Sequence, residues 1–293
     1  EHLLGQNQSI NKIAKQLSRA PSTISRELKR NADQRSQKYS YDLANRKAQK
    51  RQENRSRRCS YTAEIQSYVE QKLELKYSPE QIVGVARNEG VDCVSHETIY
   101  RKIWHDKHQG GNLYEDLRHR AKRYRKRGAA KDRRGKITNR QDIDLRPVIV
   151  EERNRLGDVE VDLVIGNGHQ GALLTINDRV SGLVMIEQLQ GKQACEVGAA
   201  IIARLLPYKD SLHTITSDNG KEFAGHEDVA KALEIDFYFA KPYHSWQRGS
   251  NENLNGLIRQ YIPKTQNIHQ LNTSYIAEVE KALNDRPRKR HGY

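Results

Sequence analysis

Apolar residues recur at helical spacing from the start of the chain. Ser9-Ile-Asn-Lys-Ile-Ala-Lys-Gln-Leu17 places Ile10, Ile13, Ala14 and Leu17 behind an N-capping Ser9, which predicts a short helix. Ser18-Arg-Ala-Pro21 breaks it. Ser22-Thr-Ile-Ser-Arg-Glu-Leu-Lys-Arg30 predicts a second helix with Pro21 in its first turn, Ile24 and Leu28 facing inward, and Ser22, Thr23, Ser25, Arg26, Lys29 and Arg30 left to solvent. The layout then returns. Tyr77-Ser-Pro79-Glu-Gln-Ile-Val starts a helix that runs to Arg87 and breaks at Asn88-Glu-Gly90. Val94 to Trp104 forms the next, capped by Ser95, with Ile99 and Ile103 packed and His96, Thr98, Arg101 and Lys102 outward.

From about residue 155 the period changes. Alternating or apolar runs at 158–165, 171–176 and 182–188, separated by Gly166-Asn-Gly168 and Asn177-Asp-Arg179, predict three antiparallel strands joined by hairpins. A helix over 194–206, a strand over 212–217, a helix over 223–233, a strand over 235–239 and helices over 247–261 and 274–284 follow. The expected architecture is an α/β ribonuclease H-like domain, a mixed sheet with helices, preceded by all-α helix-turn-helix units.

Charge gives the front half a role. Residues 1–150 hold 34 Lys and Arg against 18 Asp and Glu, and the remainder holds 17 against 19. A polycation joined to a near-neutral body suits phosphate neutralisation and counterion release. Short helices lined with Ser, Thr and Arg suit phosphates and base edges. Between the two helical pairs, Asn45-Arg-Lys-Ala-Gln-Lys-Arg51 reads as an extended arm or a long helix on DNA phosphates, or as a solvated helix face. The Gly-interrupted basic run 118–136, with Arg123, Arg125, Lys126, Arg127, Arg133 and Arg134, reads as a linker along a DNA backbone. Three scattered cysteines give neither a disulfide framework nor paired zinc ligands, which fits a reducing cytosolic setting. No apolar run approaches the roughly 18 residues of a membrane span, and no signal peptide is visible. Both ends read as trimmed.

Three acids carry the candidate chemistry. Asp158, Glu160 and Asp162 alternate and so share one strand face, a pattern that a solvent-facing strand also gives. Asp218 follows an apolar strand and opens Asp218-Asn-Gly220, either a carboxylate at the carboxyl end of a sheet or plain turn chemistry. Glu252 shares a helix stripe with Arg248, Asn255, Gly256 and Arg259, polar and small where a packed helix buries Leu. Two strand-end carboxylates and one on a helix suit two divalent ions about 3.5–4 Å apart, the arrangement that drives in-line attack on a phosphodiester.

The segments Gly157-Asp-Val-Glu160-Val-Asp162-Leu-Val-Ile-Gly166, Thr216-Ser-Asp218-Asn-Gly220-Lys-Glu222-Phe223 and Arg248-Gly-Ser-Asn-Glu252-Asn-Leu-Asn-Gly256-Leu-Ile-Arg259 resemble the three blocks of a DDE transposase. The 33 residues between Asp218 and Glu252 match the spacing of the insertion-sequence-thirty (IS-thirty) family. Ser22-Thr-Ile-Ser-Arg-Glu-Leu28, Ser95-His-Glu-Thr-Ile-Tyr100 and Asn284-Asp-Arg-Pro-Arg-Lys-Arg290 are similar to that family too, so the resemblance covers nearly the whole chain. One departure stands in the first block: Val159 takes the place of the family's usual Trp.

The resemblance implies a bacterial enzyme of the nucleoid that binds the terminal inverted repeats of an insertion sequence, cleaves at its ends and joins them to target DNA. It selects Asp162 from the three acids of its strand, with Asp218 and Glu252, as the catalytic and metal-binding set for two Mg²⁺ ions, which Mn²⁺ can replace. The expected DNA contacts are Ser22, Thr23, Ser25, Arg26, Lys29, Arg30, Ser95, His96, Thr98, Arg101, Lys102, the six basic residues of the linker, Tyr243, His244, Arg248, Asn255 and Arg259. The expected partners are double-stranded DNA and further copies of the chain on paired ends. The expected domains are 1–58 and 59–117, both helix-turn-helix, a basic linker over 118–152 and a catalytic domain over 153–293. A regulator that binds DNA without catalysis, or a nuclease that cuts without joining, remain the alternatives.

Overall fold

The computed structural model describes residues 1–33, 36, 38–53, 60–120, 137–241 and 249–293. The chain divides into two compact units, Glu1–Cys59 and Ser60–Tyr293. The first holds α1 (His2–Gly5), α2 (Ile10–Gln16), α3 (Pro21–Asn31) and α4 (Tyr41–Glu53). Ser9 caps α2 by accepting the Lys12 amide at 3.4 Å, and Ile13 and Ala14 are buried. The basic run at 45–51 lies within α4, which Lys47 ties to the end of α3 through the Ala32 carbonyl.

The second unit opens with α5 (Ala63–Glu74), α6 (Pro79–Asn88) and α7 (His96–His108). Their buried residues Val69, Leu73, Ile82, Ile99 and Ile103 make one core with Leu117. α5 carries Ile65, Tyr68, Val69 and Leu73 at helical spacing behind the capping Thr62 and is a helix beyond those expected from the sequence above. Ser78 and Gln81 form a complete capping box on α6.

The sheet follows: β1 (Gln141–Asp142), α8 (Ile149–Glu152), β2 (Asp158–Ile165), β3 (Ala172–Asp178), β4 (Val184–Leu189), α9 (Ala194–Leu205), β5 (Thr214–Ser217), α10 (His226–Leu233), β6 (Asp236–Phe239), α11 (Gly249–Tyr261) and α12 (Thr273–Asn284). Strand order is β4-β3-β2-β5-β6-β1, with β2, β3 and β4 antiparallel and β5 and β6 parallel to β2. This is the ribonuclease H arrangement with a short strand added at one edge. The hairpin after β3 turns on Asp178, whose Oδ1 accepts the Val180 and Ser181 amides and the Ser181 hydroxyl. Gly157 precedes β2 at φ 88°, where a Cβ would collide with the Ser211 carbonyl, so the crossing of the chain beside β5 requires glycine.

The alternation of β2 decides what each sheet face holds. Val159 and Val161 point toward α9 and α10, where Ile201, Leu205, Val229, Phe237 and Phe239 complete a dry core. Val159, in the place of the family's Trp, is thus an ordinary core residue 5% exposed. The even positions face the other way, where Val164 packs with Leu254 and Ile258 of α11 and Ile276 and Val279 of α12. The rest of that face is polar and buried. Asp158 accepts Arg155 Nε at 2.9 Å and the Thr214 hydroxyl at 2.8 Å. Glu160 accepts Arg179 Nη1 at 2.6 Å, Arg179 reaches Glu151 at 3.1 Å, and Arg146 joins Glu151 to the Thr216 hydroxyl.

The C-terminal segment fastens α6 to this body. Buried Arg286 donates to the side chains of Gln81 and Gln260 and to the Lys76 carbonyl, and Gln81 donates to the Pro287 carbonyl. Asn88 donates to the carbonyls of Gly292 and Tyr293. Arg288 and Arg290 donate to carbonyls of the β3–β4 turn. The arginines of this run are therefore largely bound to neutral backbone acceptors.

Candidate active site

Register brings two of the three acids to one end of the sheet. The β2–β5 ladder pairs Asp158 with Thr214 and Glu160 with Thr216. The next positions on that face are Asp162 and Asp218, on parallel neighbours whose strands lie about 4.8 Å apart. Asp162 Oδ1 accepts the Leu163 amide at 3.0 Å, and its Oδ2 accepts Asn255 Nδ2 at 2.7 Å. Asp218 Oδ1 accepts the Gly220 amide at 2.9 Å, so it serves the turn and the site together.

Glu252 sits in the first turn of α11 and is exposed. The stripe beside it is fastened to β2: Asn251 Nδ2 approaches the Val161 carbonyl at 3.5 Å, Asn255 holds Asp162, and Arg259 Nη2 donates to the Ile165 carbonyl at 2.6 Å. Three polar side chains thus set the height of α11 against the strand that carries Asp162. Among the described residues no three of His, Cys, Asp and Glu converge closely enough to hold a metal by themselves. Asp162 lies within β2 and Asp218 just past the end of β5, and Glu252 is an exposed residue of the separate helix α11.

A further carboxylate lies at this end of the sheet. Burial pushes the Glu222 carboxyl above its ordinary range; the negative charges of Asp218 and Asp162 push the same way, against its own backbone amide and Lys192. The signal for it in the sequence was present: an acid four residues after Asp218, in the same turn. The site is therefore strongly negative and its donors are all oxygen. Such donors fit a hard divalent cation, which for Mg²⁺ is held by one or two carboxylates plus water and substrate phosphates rather than by a full protein cage.

Comparison with known proteins shows the family. A family model described as a helix-turn-helix domain matches residues 1–31. The transposase for insertion sequence element IS4351 of Bacteroides fragilis is 51% identical over 96% of this chain and 86% of its own length. The transposase InsI for insertion sequence element IS30A of Escherichia coli K12 is 36% identical over 98% of this chain and 77% of its own. The chain belongs to the insertion-sequence-thirty family of transposases. Among solved structures, the catalytic core domain of BIV integrase aligns at 22% identity over 43% of this chain and 78% of that one, with a TM-score of 0.33. That alignment adds nothing to the topology already described.

In the transposase the expected DNA contacts fall into four groups. Ser22, Thr23, Ser25, Arg26, Lys29 and Arg30 are all exposed on α3. On α7, Arg101 and Lys102 are exposed, Ser95 caps the helix through the Thr98 amide, and Lys102 lies 5.3 Å from the centre of the Tyr61 ring. Asn255 and Arg259 are engaged inside the fold as above. Arg123, Arg125, Lys126, Arg127, Arg133, Arg134, Tyr243, His244 and Arg248 lie outside the described residues.

Proposed function

We propose that Asp162, Asp218 and Glu252 form the catalytic and metal-binding set with which this transposase cleaves DNA at the ends of its element and joins them to a target. The observation that supports this reading is the parallel register of β2 and β5, which carried one step past Glu160–Thr216 sets Asp162 of β2 beside Asp218 just after β5, with α11 and its Glu252 held against Asp162 by Asn255. Two Mg²⁺ ions, when bound, supply an activated attacking oxygen and charge stabilisation at the leaving oxygen. Asp162 and Asp218 would share one ion, and Asp162 with Glu252 the other.

The chain itself orients and excludes. Asn255 holds one oxygen of Asp162, so its carboxylate presents a fixed face. Buried Glu160 is compensated by Arg179 beneath the site, so its carboxylate does not compete for a cation above it. The exposed cations of α3 and α7 engage the terminal inverted repeats and flanking DNA. Two ends must meet before joining, so the working species is a dimer or larger assembly of this chain on paired ends. We infer that the enzyme works at the bacterial nucleoid, where its DNA substrate lies.

The test is joining of a labelled element end in the presence of Mg²⁺. Joined product that disappears in Asp218→Asn, with DNA affinity kept, supports the reading; nicking without joining in the wild type would make the protein a nuclease.

A further inference from the structure

Gly256 is a small residue on a helix face one turn after Glu252, and the structure shows what fills the space. An added Cβ there would lie 2.5 Å from Arg118 Nη2 and 2.6 Å from Arg118 Nε. Arg118 comes from the tail of the α5–α7 unit. Leu117 is buried in that unit's core, Asp116 pairs with Lys76, and the Asp116 carbonyl accepts Gln260 Nε2 at 2.9 Å. The next residue is thereby delivered onto α11, where Arg118 Nη1 donates to Asn253 Oδ1, beside Glu252.

The guanidinium is half-buried, yet among the described residues no carboxylate lies within ion-pair distance of it, and its buried Nε has no acceptor. Burial holds its pKa below the usual arginine value, with no negative charge pulling the other way. A cation placed in a protein surface without a counter-ion awaits an anion. Its Nε is sealed against α11 at Gly256 and Nη1 is engaged by Asn253, so Nη2 is the group left to donate to a phosphate oxygen.

We propose that Arg118, contributed by the α5–α7 unit, binds a backbone phosphate of the DNA strand lying across Glu252, and that Gly256 is glycine to leave room for it. The proposal rests on the reading of Glu252 as part of the active site. It gives the second helical unit a share in the reaction: a protomer whose α5–α7 unit is seated on DNA carries Arg118 to the strand being cut.

The test compares Arg118→Gln, Arg118→Lys, Gly256→Ala and the double variant Arg118→Gln/Gly256→Ala. The readouts are cleavage and joining rates at saturating element-end DNA, DNA affinity and thermal midpoint. Removing a charge-assisted hydrogen bond made in the reacting complex should slow Arg118→Gln by roughly tenfold to a hundredfold with affinity little changed. Arg118→Lys should recover part of that rate. Gly256→Ala should slow the reaction similarly while its midpoint holds or rises, because Ala is the better helix former and the guanidinium tip is free to swing aside. The double variant should be no slower than Arg118→Gln alone. Single methylphosphonate linkages along the cut strand should include one that slows the wild type but not Arg118→Gln.

Full activity in Gly256→Ala, multiplying effects in the double variant, or no such methylphosphonate position overturns the proposal. Should Arg118→Gln melt early, Gly256→Ala and the methylphosphonate scan repeated with Gly256→Ala beside the wild type still decide it. Asp218→Asn, measured alongside, separates the two readings. A dead Asp218→Asn with fully active Arg118 variants ends this proposal alone, whereas an active Asp218→Asn ends the reading of the site.

Discussion

Glu160 and Asp162 share one strand face, and only stability measurements separate a structural acid from a catalytic one. Glu160 is 0% exposed and its partner Arg179 1% exposed, at 2.6 Å. Arg179 and Arg146 both also contact Glu151, whose side chain is 62% exposed. Burial and the neighbouring Arg179 already hold the Arg146 pKa below its usual value. Two guanidiniums and two carboxylates balance, so Glu160→Gln leaves one uncompensated positive charge in the interior. Breaking a buried pair by removing one partner costs about 3–5 kcal/mol. At roughly 2–4 °C per kcal/mol for a unit of this size, Glu160→Gln should melt roughly 6–20 °C lower than the wild type. Glu160→Leu with Arg179→Met removes the pair together, leaves Arg146 with Glu151, and should melt closer to the wild type than either single change. The assay is a calorimetric or circular-dichroism melt beside strand joining measured well below every midpoint. A Glu160→Gln protein that melts normally but fails to join would refute this reasoning and move the first catalytic acid from Asp162 to Glu160.

Other outcomes follow from single side chains. Asn255→Leu removes the amide that holds Asp162 Oδ2 and should weaken Mg²⁺ dependence or rate by about 10–100-fold with DNA affinity kept, which a Mg²⁺ titration of the joining rate reads directly. Glu222 has its pKa raised by folding, so it favours the folded state only while protonated, and that contribution fades as pH rises through the folded value. Glu222→Gln should therefore raise the metal-free melting temperature at alkaline pH and leave it unchanged below the ordinary Glu value of about 4.3; a pH-independent difference would count against it. Arg26→Ala or Lys29→Ala on exposed α3 should each make the slope of log affinity against log salt shallower by about 0.9 for every phosphate that is no longer neutralised. An unchanged slope would place those side chains away from DNA.

The elements with strong periodicity were legible from residues alone. The three antiparallel strands, the helix carrying Glu252 and the capped helices at Ser9 and Ser78 match their sequence patterns to within a few residues. The two-residue β1 was not legible, because so short a span carries no period. At the site, the family resemblance singled out Asp162 and Asp218, and the β2–β5 register puts them next in line on one sheet face. The resemblance set Asp158 and Glu160 aside, and the reason is visible only in three dimensions, where their oxygens belong to Arg155, Thr214 and Arg179. Asn255 read as a DNA contact because an amide on a polar stripe carries no mark of its partner, which lies 93 residues earlier in the chain. Arg118 read as the first residue of a basic run. Only its approach to Gly256 distinguishes it from the cations that follow.

The central claim is that Asp162, Asp218 and Glu252 act as one metal-binding catalytic set. Its most direct measurement is the Mg²⁺-dependent rate of joining a labelled element end by Asp218→Asn, with binding to the same DNA measured in parallel. Losing several kcal/mol of charge stabilisation should lower the rate by about a thousandfold or more, with DNA affinity close to that of the wild type. Joining at the wild-type rate by Asp218→Asn would contradict the account.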